Sequence, residues 1–199
     1  MIDHVRQFLG VSGIIVLPPG LLFWFLIHTW ARSWRKLGPA RTYLIVLPLI
    51  VAFGSWLFRI RRQLLGADLG TSWILIVIAL VLYGVMTRLE LQYWKQLNVA
   101  TLVGVTELSP AEQQKGKLLQ DGIYRMVRHP RYLSAGIGIV GNALVINYVG
   151  MYLLTLWLFP LGYLILLLEE RELVDRFGEA YRAYQREVPQ LIPRWRKPS

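Results

Sequence analysis

The chain has 199 residues, of which 55% are hydrophobic and only 17% are charged, and its formal net charge is +10. Soluble domains carry roughly 25% charged residues, so this composition is short of polar surface and indicates the lipid bilayer as the solvent. The chain contains no cysteine, which excludes disulfides, thiolate metal sites and cysteine nucleophiles. Its lysines and arginines lie mostly between apolar runs, which favours anionic lipid head groups over nucleic acid as the partner.

Five apolar runs are predicted to cross the membrane as helices, because about 20 largely apolar residues span a bilayer. In chain order, these runs cover residues 10–30, 43–58, 72–87, 132–148 and 151–168. No charged residue lies between the last two runs, which predicts a tight helical hairpin, and the charged stretch that follows predicts an amphipathic tail helix. We therefore expect an all-α, polytopic membrane protein that forms a single integral membrane domain over residues 1–199.

An odd number of spans places the two ends of the chain on opposite sides of the membrane. If the tail is cytosolic, the polar segments 31–41 and 88–131 are cytosolic as well, and segment 59–71 faces outward. The positive-inside rule agrees with this arrangement only in part, because three arginines lie in the outward segment. Residues 1–90 then contain three N-terminal transmembrane helices, and residues 91–199 contain the polar motifs, the hairpin and a cytosolic C-terminal helix.

The stretch 117–132, with the sequence KLLQDGIYRMVRHPRY, carries the first polar cluster and leads directly into the fourth run. Pro130 is well placed for the first turn of that helix. A helix start offers free backbone N–H groups and a partial positive charge, and Arg128 adds a two-pronged donor, so this point suits a carboxylate. Tyr124 and Tyr132 supply aromatic faces nearby.

The second polar cluster, residues 169–172, ends the fifth run where that helix leaves the bilayer. A hairpin returns to the side on which it starts, so Arg128 and His129 are predicted to meet Glu169 and Glu170. S-adenosylmethionine fits this pair of clusters, because the arginine and the helix start could hold its carboxylate, and Glu169 its ammonium or its ribose hydroxyls. Methyl transfer from a sulfonium needs positioning and desolvation more than it needs a strong acid or base.

These motifs, in this order, resemble the C-terminal signature of the isoprenylcysteine carboxyl methyltransferases and of the related membrane phospholipid methyltransferases. The shared pattern is G-x-Y, then R-H-P-x-Y, a helical hairpin, a glutamate pair, and F-G-x-x-Y-x-x-Y before prolines. In this sequence the pattern consists of Gly122 and Tyr124; Arg128, His129, Pro130 and Tyr132; Glu169 and Glu170; Phe177, Gly178, Tyr181 and Tyr184; and Pro189 and Pro193. The resemblance covers residues 116–193.

The resemblance implies an integral membrane methyltransferase in which residues 91–199 bind S-adenosylmethionine. The acceptor is then lipophilic: an isoprenylcysteine-like carboxylate, a lipid or a thiol. The implied cofactor contacts are Lys117, Leu118, Leu119, Tyr124, Arg128, His129, Pro130, Tyr132 and Glu169. We expect Arg128, Glu169 and Glu170 to carry the catalytic roles, with membrane lipids as partners and neither a metal nor a nucleic acid. The expected location is a prokaryotic plasma membrane, with the site facing the cytosol.

One departure from the family pattern bears on the acceptor. In the isoprenylcysteine enzymes an arginine shortly before the glutamates is implicated in substrate binding, whereas residues 161–168 contain no basic residue. This difference argues against a prenylated cysteine carboxylate. Two other classes stay open: a sterol-type membrane reductase that uses NADPH, and a non-catalytic membrane subunit that retains the cofactor scaffold.

Two further patterns favour structural roles. Gly136, Gly138 and Gly141 spell GxGxxG, but small residues inside an apolar run favour close helix packing over a dinucleotide site, which would need a preceding strand. The charged residues after the fifth run include a pair at i,i+4 spacing, Glu172 and Arg176. That spacing is typical of an ordinary solvated helix face, and we expect it for Glu172.

Histidine and aromatic residues near the helix ends also have structural interpretations. His28, near the end of the first run, is expected to make a structural hydrogen bond or to lie at the membrane interface. Phe177, Tyr181 and Tyr184 follow an i, i+4, i+7 spacing, which predicts a packing stripe that docks the tail helix. A cofactor lid is the alternative interpretation of this stripe.

Overall fold

The structure, a computed structural model, describes residues 1–94, 108 and 118–193. Its helices are α1 (Ile2–Thr29), α2 (Ala31–Leu37), α3 (Pro39–Arg59), α4 (Arg61–Leu65), α5 (Trp73–Tyr93), a 3-10 helix (Gly122–Arg125), α6 (Pro130–Ile146), α7 (Val149–Phe177) and α8 (Glu179–Glu187). The described residues form helices, turns and connecting segments and contain no β-strand, so the predicted all-α class is confirmed.

Four of these helices are long and apolar enough to cross a membrane: α1, α3, α5 and α7. They correspond to the first, second, third and fifth predicted spans and define an integral membrane protein. The fourth predicted span is the helix α6, whose 17 residues fall below the length of about 20 that usually crosses a bilayer. The polytopic helical fold and the hairpin of α6 and α7 are therefore confirmed, and the count of five spans stays a prediction.

Glycines allow α6 to lie close against its neighbours. A Cβ atom at Gly138 would be 2.6 Å from Sδ of Met86 in α5, and one at Gly141 would be 2.8 Å from the ring of Tyr83. A Cβ atom at Gly136 would lie 3.3 Å from an aromatic ring of α7. The GxGxxG pattern thus serves close helix packing, as predicted.

One end of the helix bundle is held together by Arg6, whose side chain is 1% exposed. Its Nε donates to the backbone oxygen of Ile146 at 3.1 Å, and its guanidinium pairs with Asp68. Asn147, in the left-handed conformation at the hairpin turn, donates to the backbone oxygen of Gly70 at 2.8 Å. The start of α1, the loop after α4 and the turn between α6 and α7 meet here, at what we call the Arg6 end.

The first polar segment, which contains α2, lies at the opposite end of the bundle. The start of α6 and the end of α7 lie there as well. Nδ1 of His28 lies 3.0 Å from a carboxylate oxygen of Glu172, and Arg35 pairs with the same side chain. An exposed ion pair of 2.8 Å also links Arg32 to α7. We call this the Glu169 end, after the acidic residue described below. The first polar segment and the tail therefore share one side of the bundle, as the predicted topology requires.

Gly150, at the start of α7, leaves no room for a side chain. A Cβ atom there would collide with the backbone oxygen of Leu64 and lie 2.7 Å from that of Leu65. We expect Gly150→Ala to lower the free energy of unfolding by about 3 kcal/mol or more, because the backbone of α4 cannot move aside cheaply. The measurement is thermal unfolding in detergent micelles.

Gly84→Ala is the matched control for this variant. A Cβ atom at Gly84, within α5, would meet no other atom within 4 Å. The alanine should leave the unfolding midpoint unchanged or raise it slightly, since alanine has the higher helix propensity. Equal midpoints for Gly150→Ala and Gly84→Ala would show that α4 and α7 do not pack as described.

Candidate active site

The hairpin of α6 and α7 brings the two polar clusters together through helix geometry. At 1.5 Å per residue, α6 is about 25 Å long. Asn147 turns the chain with a φ of 51°, and α7 then rises by about 30 Å between Val149 and Glu169. Glu169 therefore lies level with the start of α6. The predicted meeting of the two clusters is confirmed, because direct hydrogen bonds join them.

Glu170 is the centre of a buried polar network and is 8% exposed. One of its carboxylate oxygens accepts a hydrogen bond from Nε of Arg128 at 2.8 Å and lies 2.7 Å from Nη2 in the same ion pair. The same oxygen lies 3.0 Å from Nε2 of His129 and accepts from the Tyr181 hydroxyl at 3.2 Å. The other oxygen accepts from Nε2 of Gln185 at 3.1 Å. Much of the acceptor capacity of this carboxylate is thus used within the protein.

Arg128 and His129 also fasten the chain that follows α8. The Arg128 guanidinium donates to the backbone oxygens of Gln185, at 3.1 Å, and of Val188. The backbone N–H groups of Arg128 and His129 donate to residues 189–190 at 2.9 Å and 3.1 Å. The Arg128 guanidinium and these N–H groups, which the sequence analysis assigns to a ligand carboxylate, therefore bind backbone oxygens of the tail. A direct contact between Arg128 and a cofactor stays a prediction.

Glu169 points to a different face of α7 from Glu170, because adjacent residues of an α-helix are about 100° apart. Its carboxylate accepts a hydrogen bond of 2.6 Å from the Tyr132 hydroxyl. The Tyr132 ring in turn stands edge-on to the ring of His129, with centroids 5.7 Å apart. Glu169 is half-buried. A carboxylate has about four lone-pair sites, so Glu169 has the capacity to accept further hydrogen bonds from a ligand.

Tyr124 lies on the 3-10 helix and packs in an apolar cluster with Ile123 and with Tyr93 of α5. The Tyr184 hydroxyl of α8 donates to the backbone oxygen of Tyr124 at 2.5 Å. The ring of Tyr184 also meets the Tyr181 ring edge-on, at 5.9 Å between centroids. The 3-10 helix is therefore seated between α5 and α8, beside the Glu170 network.

A cavity of about 780 Å³ lies between α1, α6 and α7. Tyr132, the partner of Glu169, forms part of its wall, and so does Arg131. The Arg131 guanidinium lies over the ring of Trp24 in α1, 4.8 Å from the ring centroid. Most of the remaining wall is aliphatic or aromatic, and includes Leu82, Ile139, Leu158, Phe159 and Ile165. Only the packing of α1 on α6 shows that Arg131 borders a cavity.

The other predicted cofactor contacts lie near these elements, with one exception. Lys117 falls outside the described residues. Leu118 and Leu119 precede the 3-10 helix, and Leu119 packs on the apolar cluster of Tyr124. Pro130 is the buried first residue of α6. Within residues 1–94, 108 and 118–193, no group of three or more metal-ligating side chains is arranged to hold a metal ion.

The expectation of a solvated Glu172 is wrong. Its side chain is 15% exposed and lies against His28 and Arg35, which come from α1 and α2. His28 also stacks on Trp24, with centroids 5.6 Å apart, so the predicted structural hydrogen bond of His28 is confirmed. His28 and Glu172 are 144 positions apart in the sequence, and spacing along one helix could not reveal their contact.

Tyr181 and Tyr184 of the tail helix pack against the site, as predicted, whereas Phe177 is the last residue of α7 and is separated from α8 by Gly178. Tyr181 is 1% exposed and Tyr184 is 5% exposed, and both hydroxyls have partners inside the protein. Gln185, one turn further, was not anticipated as a partner of Glu170. The sequence indicates this contact only in part, because Gln185 lies at i+4 from Tyr181 and therefore on the same face of α8.

Burial of three tyrosines at this end predicts a loss of stability at alkaline pH. Desolvation raises the pKa of Tyr124 to about 12 and also raises the pKa values of Tyr181 and Tyr184 above 10.0. The folded state then keeps protons that the unfolded state releases above pH 10. The free energy of unfolding should therefore fall between roughly pH 10 and 12, on the order of 2 kcal/mol for Tyr124 alone.

Thermal unfolding as a function of pH, in a detergent that is stable to alkali, measures this effect. Tyr124→Phe should flatten the alkaline decline, and the Tyr184 hydrogen bond should survive because it ends on a backbone oxygen. A decline equally steep in Tyr124→Phe and in the unchanged protein would contradict the assignment to this phenol.

A family model described as phospholipid methyltransferase matches residues 73–180, which is more than half of the chain and includes the hairpin and both polar clusters. The chain belongs to this family. The match begins with α5 and ends within α8. It therefore includes α5, the helix that packs most closely on α6. No solved structure matches the chain.

Curated relatives carry more specific names. A methanethiol S-methyltransferase of Pseudomonas deceptionensis is 28% identical over 197 aligned positions, covering 82% of this chain and 64% of that protein. A protein-S-isoprenylcysteine O-methyltransferase of Schizosaccharomyces pombe is 38% identical over 77 positions, 38% of this chain and 33% of the relative. Methanethiol S-methyltransferase 1 of Bradyrhizobium diazoefficiens is 34% identical over 82 positions. The chain spans less than two thirds of the length of each of these relatives.

Proposed function

We propose that the chain is an integral membrane methyltransferase that takes a methyl group from S-adenosylmethionine at the Glu169 end and transfers it to a lipophilic acceptor. The family supports methyl transfer. The observation that carries the proposal is the position of Glu169, a half-buried carboxylate fixed by Tyr132 beside an apolar cavity. Residues 91–199 would carry the donor site, and α1 would contribute Trp24 to its wall.

The residues at this end fit the charges of the donor. Glu169 would bind the ammonium group, since a half-buried carboxylate favours a cation as its partner. The first turn of α6, with the partial positive charge of a helix N-terminus, would bind the carboxylate. Tyr124 and the apolar cluster around it would cover the adenine. When bound, the sulfonium supplies an already activated methyl group.

Arg128 and Glu170 have a supporting role in this proposal. Their mutual ion pair, closed by His129, Tyr181 and Gln185, holds α7, α8 and the start of α6 in one arrangement. They would position Glu169 and the helix start without touching the reacting atoms. Orientation of this kind matters for methyl transfer, in which misplacement of the reactants by about 1 Å slows a reaction by orders of magnitude.

We place the Glu169 end at the cytosolic side of a prokaryotic plasma membrane. A water-soluble donor would enter from the cytosol, and a lipophilic acceptor would enter from the surrounding lipids. The first polar segment lies at this end and carries Arg32, Arg35, Lys36 and Arg41, which favours the cytosolic side.

Titration of the purified full chain in lipid nanodiscs, followed by calorimetry, tests the proposal. We expect saturable heat with S-adenosylmethionine and none with NADPH. Heat with NADPH alone would support a sterol-type reductase. The absence of binding heat with both ligands would support a non-catalytic membrane subunit. Either of these results would overturn the proposed function.

A further inference from the structure

We propose that the groove between α1 and α3 binds one anionic phospholipid. The phosphate of its head group pairs with Arg59 and Arg61 at the Arg6 end, and one of its acyl chains lies in the groove. This lipid site is separate from the proposed donor site and does not depend on the proposed methyl transfer.

The groove is apolar and open on its outer side. A Cβ atom at Gly54 would lie 3.5 Å from the backbone oxygen of Ile15, so α3 approaches α1 closely at the floor of the groove. The lining includes Pro19, Leu47 and Val51, and the last two are exposed. The groove has a volume of about 1060 Å³, which exceeds the roughly 300–1,000 Å³ of sites for drug-sized ligands, so its size favours a lipid.

The two ends of the groove differ, which gives a bound lipid one orientation. Toward the Glu169 end, the ring of Phe23 in α1 stacks on the ring of Tyr43 in α3, with centroids 6.3 Å apart. Toward the Arg6 end, Phe58 and Arg59 complete the lining. At 1.5 Å per residue, α3 rises about 24 Å between Tyr43 and Arg59. Half of the hydrocarbon core is about 15 Å thick, so an acyl chain of one leaflet fits within the groove.

Positive charge is concentrated at the Arg6 end of the groove. Arg59 lines the groove and is exposed. The Arg61 guanidinium lies over the ring of Phe58, 3.9 Å from its centroid, and donates to the backbone oxygen of Phe58 at 2.6 Å. Because Phe58 is itself part of the lining, these contacts hold the second guanidinium beside the groove.

The fold supplies no counter-ion for these two arginines in the part of the chain that the structure describes. The carboxylates at this end, Asp3 and Asp68, both pair with Arg6. The positive-inside rule also gives no reason for arginines at the end that we place outside. A lipid phosphate provides the counter-ion, since basic side chains at a membrane surface attract anionic head groups.

The lipid in this groove is distinct from the methyl acceptor. Its head group lies at the Arg6 end, whereas the donor is proposed to bind at the Glu169 end, across the hydrocarbon core. A second copy of the chain is the alternative occupant of the groove. A two-fold pair of copies that packs along this groove would bring identical arginines together, so charge favours the lipid.

Native mass spectrometry of the full chain, released from nanodiscs with equal parts of phosphatidylglycerol and phosphatidylcholine, tests the proposal. We expect one retained phosphatidylglycerol per chain, enriched about 10-fold to 100-fold over phosphatidylcholine, as two arginine contacts with an anionic lipid predict. Nanodiscs that contain phosphatidylglycerol should also raise the midpoint of thermal unfolding relative to phosphatidylcholine alone, because a ligand of the folded state stabilises it.

Variants at the two ends of the lipid test the assignment. Arg59→Gln and Arg61→Gln should each reduce the enrichment about 5-fold. Gly20→Leu should displace the acyl chain, because Gly20 lines the groove and a Cβ atom there meets nothing within 4 Å. The controls are Arg88→Gln and Gly84→Leu, which replace an exposed arginine and an exposed glycine of α5 and should leave the enrichment unchanged.

Equal retention of the two lipids by the unchanged protein would overturn the proposal. An equal loss of enrichment in Arg59→Gln and in Arg88→Gln would also overturn it, since net charge alone would then account for the preference. A dimer that Gly20→Leu dissociates, with no lipid retained by the unchanged protein, would assign the groove to a second copy of the chain instead.

Discussion

Replacing Glu169 with glutamine should weaken S-adenosylmethionine binding by about 10-fold to 100-fold, the range expected when a hydrogen bond to a charged group is lost. Glutamine has nearly the same shape and still offers an oxygen to the Tyr132 hydroxyl, which donates to Glu169 at 2.6 Å. The variant therefore removes the negative charge and little else. Calorimetric titration in nanodiscs measures the change in Kd.

Glu179→Gln is the matched control for this result. Glu179 lies in α8 at the same end of the bundle, and it pairs with Arg186 at 2.8 Å in an ion pair whose side chains are 72% and 65% exposed. Such a surface pair contributes little, so the Kd of S-adenosylmethionine should stay the same. Similar affinities for Glu169→Gln and the unchanged protein would remove Glu169 from the donor site.

Glu170→Ala should destabilise the fold by about 3–5 kcal/mol, because it leaves the Arg128 guanidinium buried without its carboxylate. Arg128 is 9% exposed at its side chain, and three further groups, on His129, Tyr181 and Gln185, lose the same partner. The midpoint of thermal unfolding in detergent should fall strongly. Limited proteolysis should also cut the segment after α8 more rapidly.

A double variant separates a positioning role from a ligand contact at Glu170. Replacing both members of a buried ion pair with apolar side chains is often neutral, since no charge is left unpaired. Arg128→Met combined with Glu170→Met should therefore recover much of the stability that Glu170→Ala loses. If Glu170→Ala kept full stability and lost only donor affinity, Glu170 would be a ligand contact, and its proposed positioning role would be wrong.

Helix geometry explains why the central contacts of the site could be predicted from the sequence. Two apolar runs without a charged residue between them must form a hairpin, and a hairpin must bring its two ends to one level. The contact of Arg128 with Glu170 follows from that argument, whereas the hydrogen bond from Tyr132 to Glu169 is shown only by the structure. The packing role of the glycines in α6 followed in the same way.

Contacts with backbone groups and between distant helices could not be predicted. Arg128 binds the carbonyl oxygens of Gln185 and Val188, and a carbonyl has no signature in a sequence because every residue has one. The packing of α1 beside α7 pairs His28 with Glu172. This contact depends on which of the four long apolar helices pack against each other. Apolar surfaces pack without direction, so the sequence does not specify that choice.

The first helix shows a further reason why predicted boundaries fail. The first apolar run starts at residue 10, whereas α1 begins at Ile2. The additional turns contain Arg6, which hydropathy assigns to solvent. Arg6 is nevertheless buried, because Asp68 and the backbone oxygen of Ile146 satisfy its charge and its hydrogen bonds. A polar residue extends a buried helix when distant partners neutralise it.

Hydrogen exchange with and without saturating S-adenosylmethionine tests most directly the claim that the donor binds where α6 starts and α7 leaves the apolar run. We expect slower amide exchange in the 3-10 helix Gly122–Arg125 and in the first turn of α6, and unchanged exchange in residues 66–72 at the Arg6 end. Slower exchange in residues 66–72, with none at the 3-10 helix, would place the ligand at the opposite end of the bundle and contradict the account.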